Sequence, residues 1–487
     1  MRIIRIFLFL SALSLCAAAC SKADTEQAKT RLYVNTFARD YMKSWYLWNK
    51  EIGKDLDAWE NTEEPIAKVA KIRYKDAKGD DIDRWTMVTD DFDSFYGSVS
   101  GNRKTYGFDF VLYYTDDTHA SVCAVVTFTY AGSPAEKAGL KRGDAIFKVN
   151  GRTIPAKDYS RIVSDELMGG DRLTAELYDG RTVTLEAREM YEDPVLLDKV
   201  FEFGGKRVGY LVYTSFTLDS YRELTDACAR FKEAGVKELI LDLRYNGGGF
   251  SAAEEFLASL LAPEAVVKAG EVLSTEVFNA DLTEYYASQE DFDANTYFRT
   301  EFEIETSDGK KYAFSTAGAN PDLDKLYCII TGGSASASEA LICDLYPYMD
   351  VTLVGKKSHG KYCAGLMLRA ESYYKSYADQ LGEEFATEGR QFTQNWGMYL
   401  MYSRFADKDG VTRCMPDGLT PDVVADDRPT DGIPLGDPAE VMLARTLSLC
   451  GYTPAPQAAR RSTPAPAREK AEVQPLRPGF GLMIKEF

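Results

Sequence analysis

At 487 residues the chain exceeds what one ordinary hydrophobic core supports, so several domains are expected. Its composition, 45% hydrophobic and 27% charged, is that of a globular protein, and a formal net charge of −18 argues against a nucleic-acid partner, which would draw on clustered Lys and Arg. Only two histidines, His119 and His359, are present, which excludes a metal site built from several of them; neither a metal nor a cofactor is expected.

In chain order, the first stretch reads as a signal peptide, residues 1–19. Arg2 and Arg5 precede an apolar run from Ile6 to Leu15, and small residues follow as far as Cys20. Ala17 and Ala19 fit an Ala-x-Ala cleavage site. Cys20, directly after three alanines, resembles a bacterial lipobox, although the usual leucine three before it is missing. Lipidation at Cys20 is the expectation, with a soluble periplasmic form as the alternative. Either cut implies an extracytoplasmic protein, in the periplasm or held at the outer membrane, with a lipid anchor as its one membrane contact. No later segment has the length and apolarity of a membrane span. The remaining cysteines (123, 228, 328, 343, 363, 414, 450) are odd in number and contain no CxxC pair. They read as buried thiols rather than a disulfide framework, with room for one bridged pair.

Residues 20–100 are expected to form a helical N-terminal domain, since Phe37, Tyr41, Trp45 and Trp48 recur at helical spacing. From Lys104 the texture turns to β: "YGFDFVLYY" and "VCAVVTFTY" are followed by "GSPAEKAGLKRGDAIFKVNG", a short helix, a Gly-Asp turn and a strand ending in Asn-Gly. Residues 101–192 in this order resemble a PDZ domain. The resemblance implies that extended peptides add as a strand to a sheet edge, with Tyr106, Gly107, Phe108 and Asp109 as the carboxylate-binding loop. Residues 193–452 then read as an α/β region. The strands "RVGYLVYTSF" and "ELILDLRYN" flank the helix "LDSYRELTDACARFKEAG", an order that implies parallel pairing. The acidic, aromatic stretch from Glu264 to Asp324 reads as an insertion. The tail, 453–487, holds six of the 18 prolines and several arginines and reads as a disordered extension with an apolar end, "FGLMIKEF".

The chemistry centres on "TGGSASASEALICDLY", Thr331 to Tyr346. Gly332 and Gly333 permit a sharp strand-to-helix turn, and a serine there meets the positive end of a helix dipole beside free N–H groups. That suits a nucleophile with an oxyanion hole. It equally suits a cap, because Ser336 and Glu339 match the S-x-x-E capping box. A base could come from His359 or from Lys361 in "KKSHGKYCAG".

At this point the chain resembles the C-terminal processing (tail-specific) Ser/Lys peptidases. Their "SASASE" motif, a lysine 25 residues after its middle serine, a "DLRxNxGG" loop and a "G-x-x-PD" element match Ser336, Lys361, Asp242 to Gly249 and Gly418 to Asp422 in order. The resemblance implies an α/β multidomain protein: a helical N-terminal domain, a PDZ-like β domain and a crotonase-like α/β protease core. It implies Ser336 as nucleophile, Lys361 as general base, and Gly248 and Ala337 as the N–H groups of the oxyanion hole. Ser338 and Glu339 would cap and orient the helix, and Arg244 and Asn246 would shape the glycine loop. A free lysine is almost wholly protonated at pH 7, so Lys361 must be depressed by roughly 3 units, which burial can supply. Relatives often place a glutamine four residues after the lysine to orient it; here that position is Gly365. His359 therefore stays a minor competitor for the base. The expected partners are polypeptides, presented by exposed C-termini. A non-catalytic binder on the same scaffold, as in retinoid-binding relatives, is the alternative. The tail would be inert, or would occupy the PDZ-like groove and restrain the enzyme, or be trimmed by it.

Overall fold

The computed structural model describes residues 25–305, 309–453, 469–471 and 482–485. The expected signal peptide and Cys20 lie outside the described residues. A six-stranded sheet runs in the order Val195–Phe203, Lys206–Tyr213, Glu238–Asp242, Lys325–Ile330, Asp350–Gly355 and Val423–Val424. Its first two strands form an antiparallel hairpin and the rest run parallel. The parallel strands are buried along most of their length, as Leu239, Ile240 and Leu241 illustrate, because helices and loops cover both faces. The helix Tyr221–Glu233 makes the expected crossover, burying Tyr221, Leu224, Ala227, Cys228 and Phe231 at three- and four-residue spacing.

A second sheet lies beside the first, in the order Gly249–Phe250, Met483–Lys485, Cys363–Arg369, Gly397–Asp407, Val272–Val277 and Asn295–Tyr297. Met87–Thr89 pairs onto Gly397–Asp407. The helices Ser251–Leu261 and Ala337–Leu345 pack on one another, and the second is buried at every residue. Glu264 to Asp324, expected as an insertion, supplies Val272–Val277 to this sheet, and its hairpin Glu301–Glu305 with Lys311–Ser315 adds Phe302, Ile304 and Phe314 to the main core.

The N-terminal helix spans 25–44, and Tyr33, Val34, Phe37, Ala38 and Met42 are buried in the same core as the α/β region. It stops before Trp45. Trp45 and Trp48 sit in the following turns, where Trp48 stacks on Tyr74 with centroids 5.5 Å apart. The aromatic spacing thus ran past the helix end, and tertiary ring contacts account for the last two positions.

Residues 102–191 carry their own core under a six-stranded antiparallel sheet, Phe108–Tyr114, Ser121–Thr129, Arg152–Pro155, Ala145–Val149, Arg172–Leu177 and Thr182–Glu186. Alternation is plain in Thr182–Glu186, where only Val183 and Leu185 are buried. Phe108–Tyr114 is an edge strand. Glu469–Ala471 lies along it: the Tyr114 N–H donates to the Glu469 carbonyl (2.9 Å) and the Ala471 N–H to that of Leu112 (2.9 Å).

Candidate active site

Ser336 stands between the strand Lys325–Ile330 and the helix Ala337–Leu345, as the glycine pair and capping box imply. Its backbone sits at φ 61°, ψ −114°, a conformation that costs a non-glycine residue about 1–3 kcal/mol and is held only by its surroundings. The surroundings are evident. The Ser336 N–H donates to Glu339 Oε2 (2.9 Å), and the Glu339 N–H donates to the Ser336 carbonyl (2.8 Å). The neighbouring serines face the glycine loop. Ser334 Oγ donates to the Leu243 carbonyl (2.7 Å) and Ser338 Oγ to that of Asn246 (2.9 Å).

Lys361 Nζ lies 3.2 Å from Ser336 Oγ and 3.1 Å from Tyr399 Oη. The lysine is fully buried, with Nζ 5.4 Å from the ring centroids of Trp85 and Tyr399. Burial drives its pKa down to about 8, against smaller raising effects from Cys363, Asp83 and Glu339. Glu339 does more than cap the helix. Its carboxylate also accepts from the Gly360 N–H (2.7 Å), the Lys361 N–H (2.9 Å) and Ser358 Oγ, so one side chain ties the serine turn to the lysine loop. Burial raises its pKa, and those hydrogen bonds partly offset the rise.

His359 is half-buried, and its N–H donates to the Ser334 carbonyl (3.0 Å), anchoring the loop. Burial, then the charges of Arg84 and Lys361, push its imidazole down to about 4, a far weaker base than Lys361.

The position at which relatives carry glutamine is closed by geometry. A Cβ on Gly365 would lie 2.5 Å from Tyr399 Cζ and 2.7 Å from Met401 Cε. The phenol fills that space, and Tyr399 is the group that holds the amine. Sequence reasoning missed it because Tyr399 lies 38 residues beyond Lys361 and reaches it only through sheet register. The one available signal was the glycine itself, a missing side chain where an orienting group was due.

The glycine loop is shaped by Asn246. Its side chain donates to the Tyr213 carbonyl (3.0 Å) and accepts from the Gly248 N–H (2.9 Å). The Gly248 N–H, expected in the oxyanion hole, is therefore engaged within the loop. The Gly249 N–H, one residue on, instead meets a carbonyl in the cleft, that of Leu482 (2.6 Å). Ala337 is buried at the first helical position beside Ser336.

Beneath the loop lies a buried ion network. Arg244 donates to Asp242 and Glu440 (2.7 Å each) and to Asp427 (3.1 Å). Arg142, from the PDZ-like unit, donates to Asp427 (2.6 Å) and to Tyr245 Oη (2.6 Å), and Tyr245 donates to Asp427 (2.5 Å). Although desolvation pushes upward, Arg142 and Arg244 hold the Asp427 carboxyl down at about 2.

Tyr106, Gly107, Phe108 and Asp109 enter the edge strand Phe108–Tyr114. Gly107 is at φ 75°, its N–H donates to Thr105 Oγ1 (2.9 Å), and its carbonyl accepts from the Tyr130 N–H (2.9 Å). A shallow groove opens here between Tyr106, Phe108, Phe110, Leu167 and Met168. The seven cysteines are buried and unbridged.

Residues 207–425 match the family model described as Peptidase family S41, and residues 125–168 match that of the PDZ domain. The chain is 24% identical over 245 residues to the carboxy-terminal processing protease CtpA of Bacillus subtilis (strain 168), covering 50% of this chain and 44% of that one. It is 28% identical over 240 residues to a protein of Staphylococcus aureus (strain COL) named as a CtpA-like serine protease, covering 49% and 41%. It thus spans less than half the length of these curated relatives. Among solved structures, the one assigned to an S41 protease of Bacteroides fragilis NCTC 9343 superposes with a TM-score of 0.62 at 22% identity, covering 85% of this chain and 96% of that one, which establishes the shared fold.

Proposed function

We propose that this chain, a family S41 peptidase region joined to a PDZ domain, is a serine endopeptidase in which Ser336 attacks the substrate carbonyl and Lys361 takes its proton. The 3.2 Å contact between Ser336 Oγ and the Nζ of a fully buried lysine carries the reading. With its pKa at about 8, about one tenth of Lys361 is neutral at pH 7 and able to accept a proton. Tyr399 orients the amine through its hydroxyl, 3.1 Å from Nζ. The Gly249 N–H, at the mouth of the cleft, and the Ala337 N–H, at the helix start, are the donors for the developing oxyanion, with Gly248 giving the loop its path. Substrates are polypeptides. The groove at Tyr106, Gly107, Phe108 and Asp109 receives their C-termini by strand addition, and Arg142 joins that domain to the catalytic loop. The protein works outside the cytoplasm, on the pattern of Arg2 to Cys20, with Cys20 as lipid anchor.

Ser336→Ala and Lys361→Ala should each abolish casein cleavage and His359→Ala should largely retain it. Activity lost in His359→Ala and kept in Lys361→Ala would move the base to His359. No cleavage by the wild type and no labelling by a fluorophosphonate would favour a non-catalytic binder.

A further inference from the structure

The segment Leu482–Lys485 occupies the cleft as a strand. Met483–Lys485 lies parallel between Gly249–Phe250 and Cys363–Arg369, pairing Met483 with Gly249 and Ile484 with Phe250 and Gly365. Leu482, Met483 and Ile484 are at most 5% exposed. The Leu482–Met483 peptide bond is gripped on both sides by the groups around the dyad. On one side, the Leu482 carbonyl accepts the Gly249 N–H at 2.6 Å. A Cβ built on Gly248 would collide with that oxygen and lie 2.9 Å from Ser336 Cβ, so carbonyl and serine share one small space. On the other side, the Met483 N–H donates to Tyr399 Oη (3.1 Å), which donates to the Met483 carbonyl (2.9 Å) and accepts from Lys361 Nζ (3.1 Å).

Beyond the bond, the side chains meet a built environment. Lys485 Nζ lies 3.6 Å from Glu276 Oε1 and 3.9 Å from Glu255 Oε1. Behind them Glu254 Oε1 and both Asp344 carboxylate oxygens are buried without a hydrogen-bond partner among the described residues. Burial pushes the Glu254 and Asp344 carboxyls well above their ordinary range, so the carboxylates that favour a cation at this place are those of Glu255 and Glu276, which Lys485 meets.

We propose, resting on the peptidase reading above, that the chain is its own substrate, cut between Leu482 and Met483, and that this register defines what the cleft takes in general: an extended strand with apolar residues on both sides of the cut bond and a lysine or arginine third after it. Ser336 Oγ adds to the Leu482 carbonyl carbon as its proton passes to neutral Lys361. Collapse breaks the C–N bond, and the proton returns to the Met483 nitrogen, which leaves as the amine of residues 483–487. Water then hydrolyses the Leu482 ester on Ser336, restoring the serine and leaving Leu482 with a carboxylate. Glu469–Ala471 holds the PDZ-like edge on the N-terminal side of this bond, so the shortened tail stays tethered after the cut.

The test is the intact mass of the purified full chain during incubation. The wild type should lose residues 483–487 with first-order kinetics independent of protein concentration, and Ser336→Ala should keep them. In trans, a quenched peptide of residues 479–487 should be cut at Leu-Met by a chain ending at Leu482. Changing the peptide's Lys485 to Glu should lower kcat/KM about tenfold, the loss of about 1.4 kcal/mol expected for a partly desolvated ion pair. A wild type that cleaves casein yet leaves its tail intact, or cuts it elsewhere, overturns the inference while the peptidase reading stands. Equal cleavage of the Lys and Glu peptides overturns the acidic selection. A wild type that cleaves neither casein nor itself removes the peptidase reading and the inference with it.

Discussion

Burying Lys361 has a thermodynamic consequence that can be measured without substrate. The pKa falls from 10.5 in the unfolded chain to about 8 in the fold because burial disfavours the ammonium. Between those values the unfolded state binds more protons than the folded one, so the penalty is complete below pH 8 and is relieved as pH rises towards 10.5. A depression of this size corresponds to about 3 kcal/mol at pH 7 and about half of that at pH 9.5. Lys361→Met keeps most of the side-chain volume and removes the titration. Its stability relative to wild type should therefore fall by about 2 kcal/mol on going from pH 7 to pH 9.5, because the wild type recovers while the variant does not. Lost hydrogen bonds to Ser336 and Tyr399 shift both values alike, so the difference isolates the lysine. Urea unfolding of both proteins at the two pH values supplies the numbers. An increment that stays constant with pH would show that Lys361 titrates in the fold as it does in water, and the base assignment would fail.

The same shift sets the rate profile: kcat/KM on a peptide should rise tenfold per pH unit below an inflection near 8, whereas an inflection near 4 would implicate His359. Gly365→Gln should inactivate the enzyme by displacing the Tyr399 ring, and adding Tyr399→Ala should restore part of kcat/KM; a double variant no better than Gly365→Gln alone would show that Tyr399 is not the orienting group. Arg142→Ala leaves the buried Asp427 short of a cation and should cost about 3 kcal/mol by urea unfolding at pH 7. Since Asp427 is held at about 2, that cost should shrink as pH falls from 4 towards 2; a cost unchanged over this range would mean that packing, not charge, holds the contact.

The parts of the site that could be read from the chain are those carried by local geometry. A glycine pair, a serine at the start of a helix and a glutamate three residues on are contiguous, and the structure puts Ser336 and Glu339 in that relation. Asn246 and its glycines are likewise contiguous, which is why their role as a shaped loop was legible. What depends on register was not. Tyr399 reaches Lys361 because Cys363–Arg369 and Gly397–Asp407 pair antiparallel with a bulge between Ala364 and Gly365, and no local pattern announces such a bulge. The Gly248 N–H, expected in the oxyanion hole, donates instead to Asn246 Oδ1, a contact within the loop that the motif alone does not reveal.

The tail shows the same division. Its composition, rich in proline and arginine, says that it cannot build a core, yet two of its short segments find places on the protein that lack a strand: Glu469–Ala471 at the edge Phe108–Tyr114, and the apolar Leu482–Lys485 in the gap between Gly249–Phe250 and Cys363–Arg369. An unfilled position in a sheet accepts a backbone of almost any sequence, so affinity there comes from the main chain and selection from the few side chains that must fit. Here the fitted ones are Leu482, Met483 and Ile484, all buried, and Lys485 against Glu255 and Glu276. If the proposed self-cleavage holds, a cleft that completes its sheet with a bound backbone needs its specificity only in those pockets. The pair Glu255 and Glu276 is the part of the cleft whose charge, once reversed, should change which peptides it takes while leaving Ser336 and Lys361 as they are.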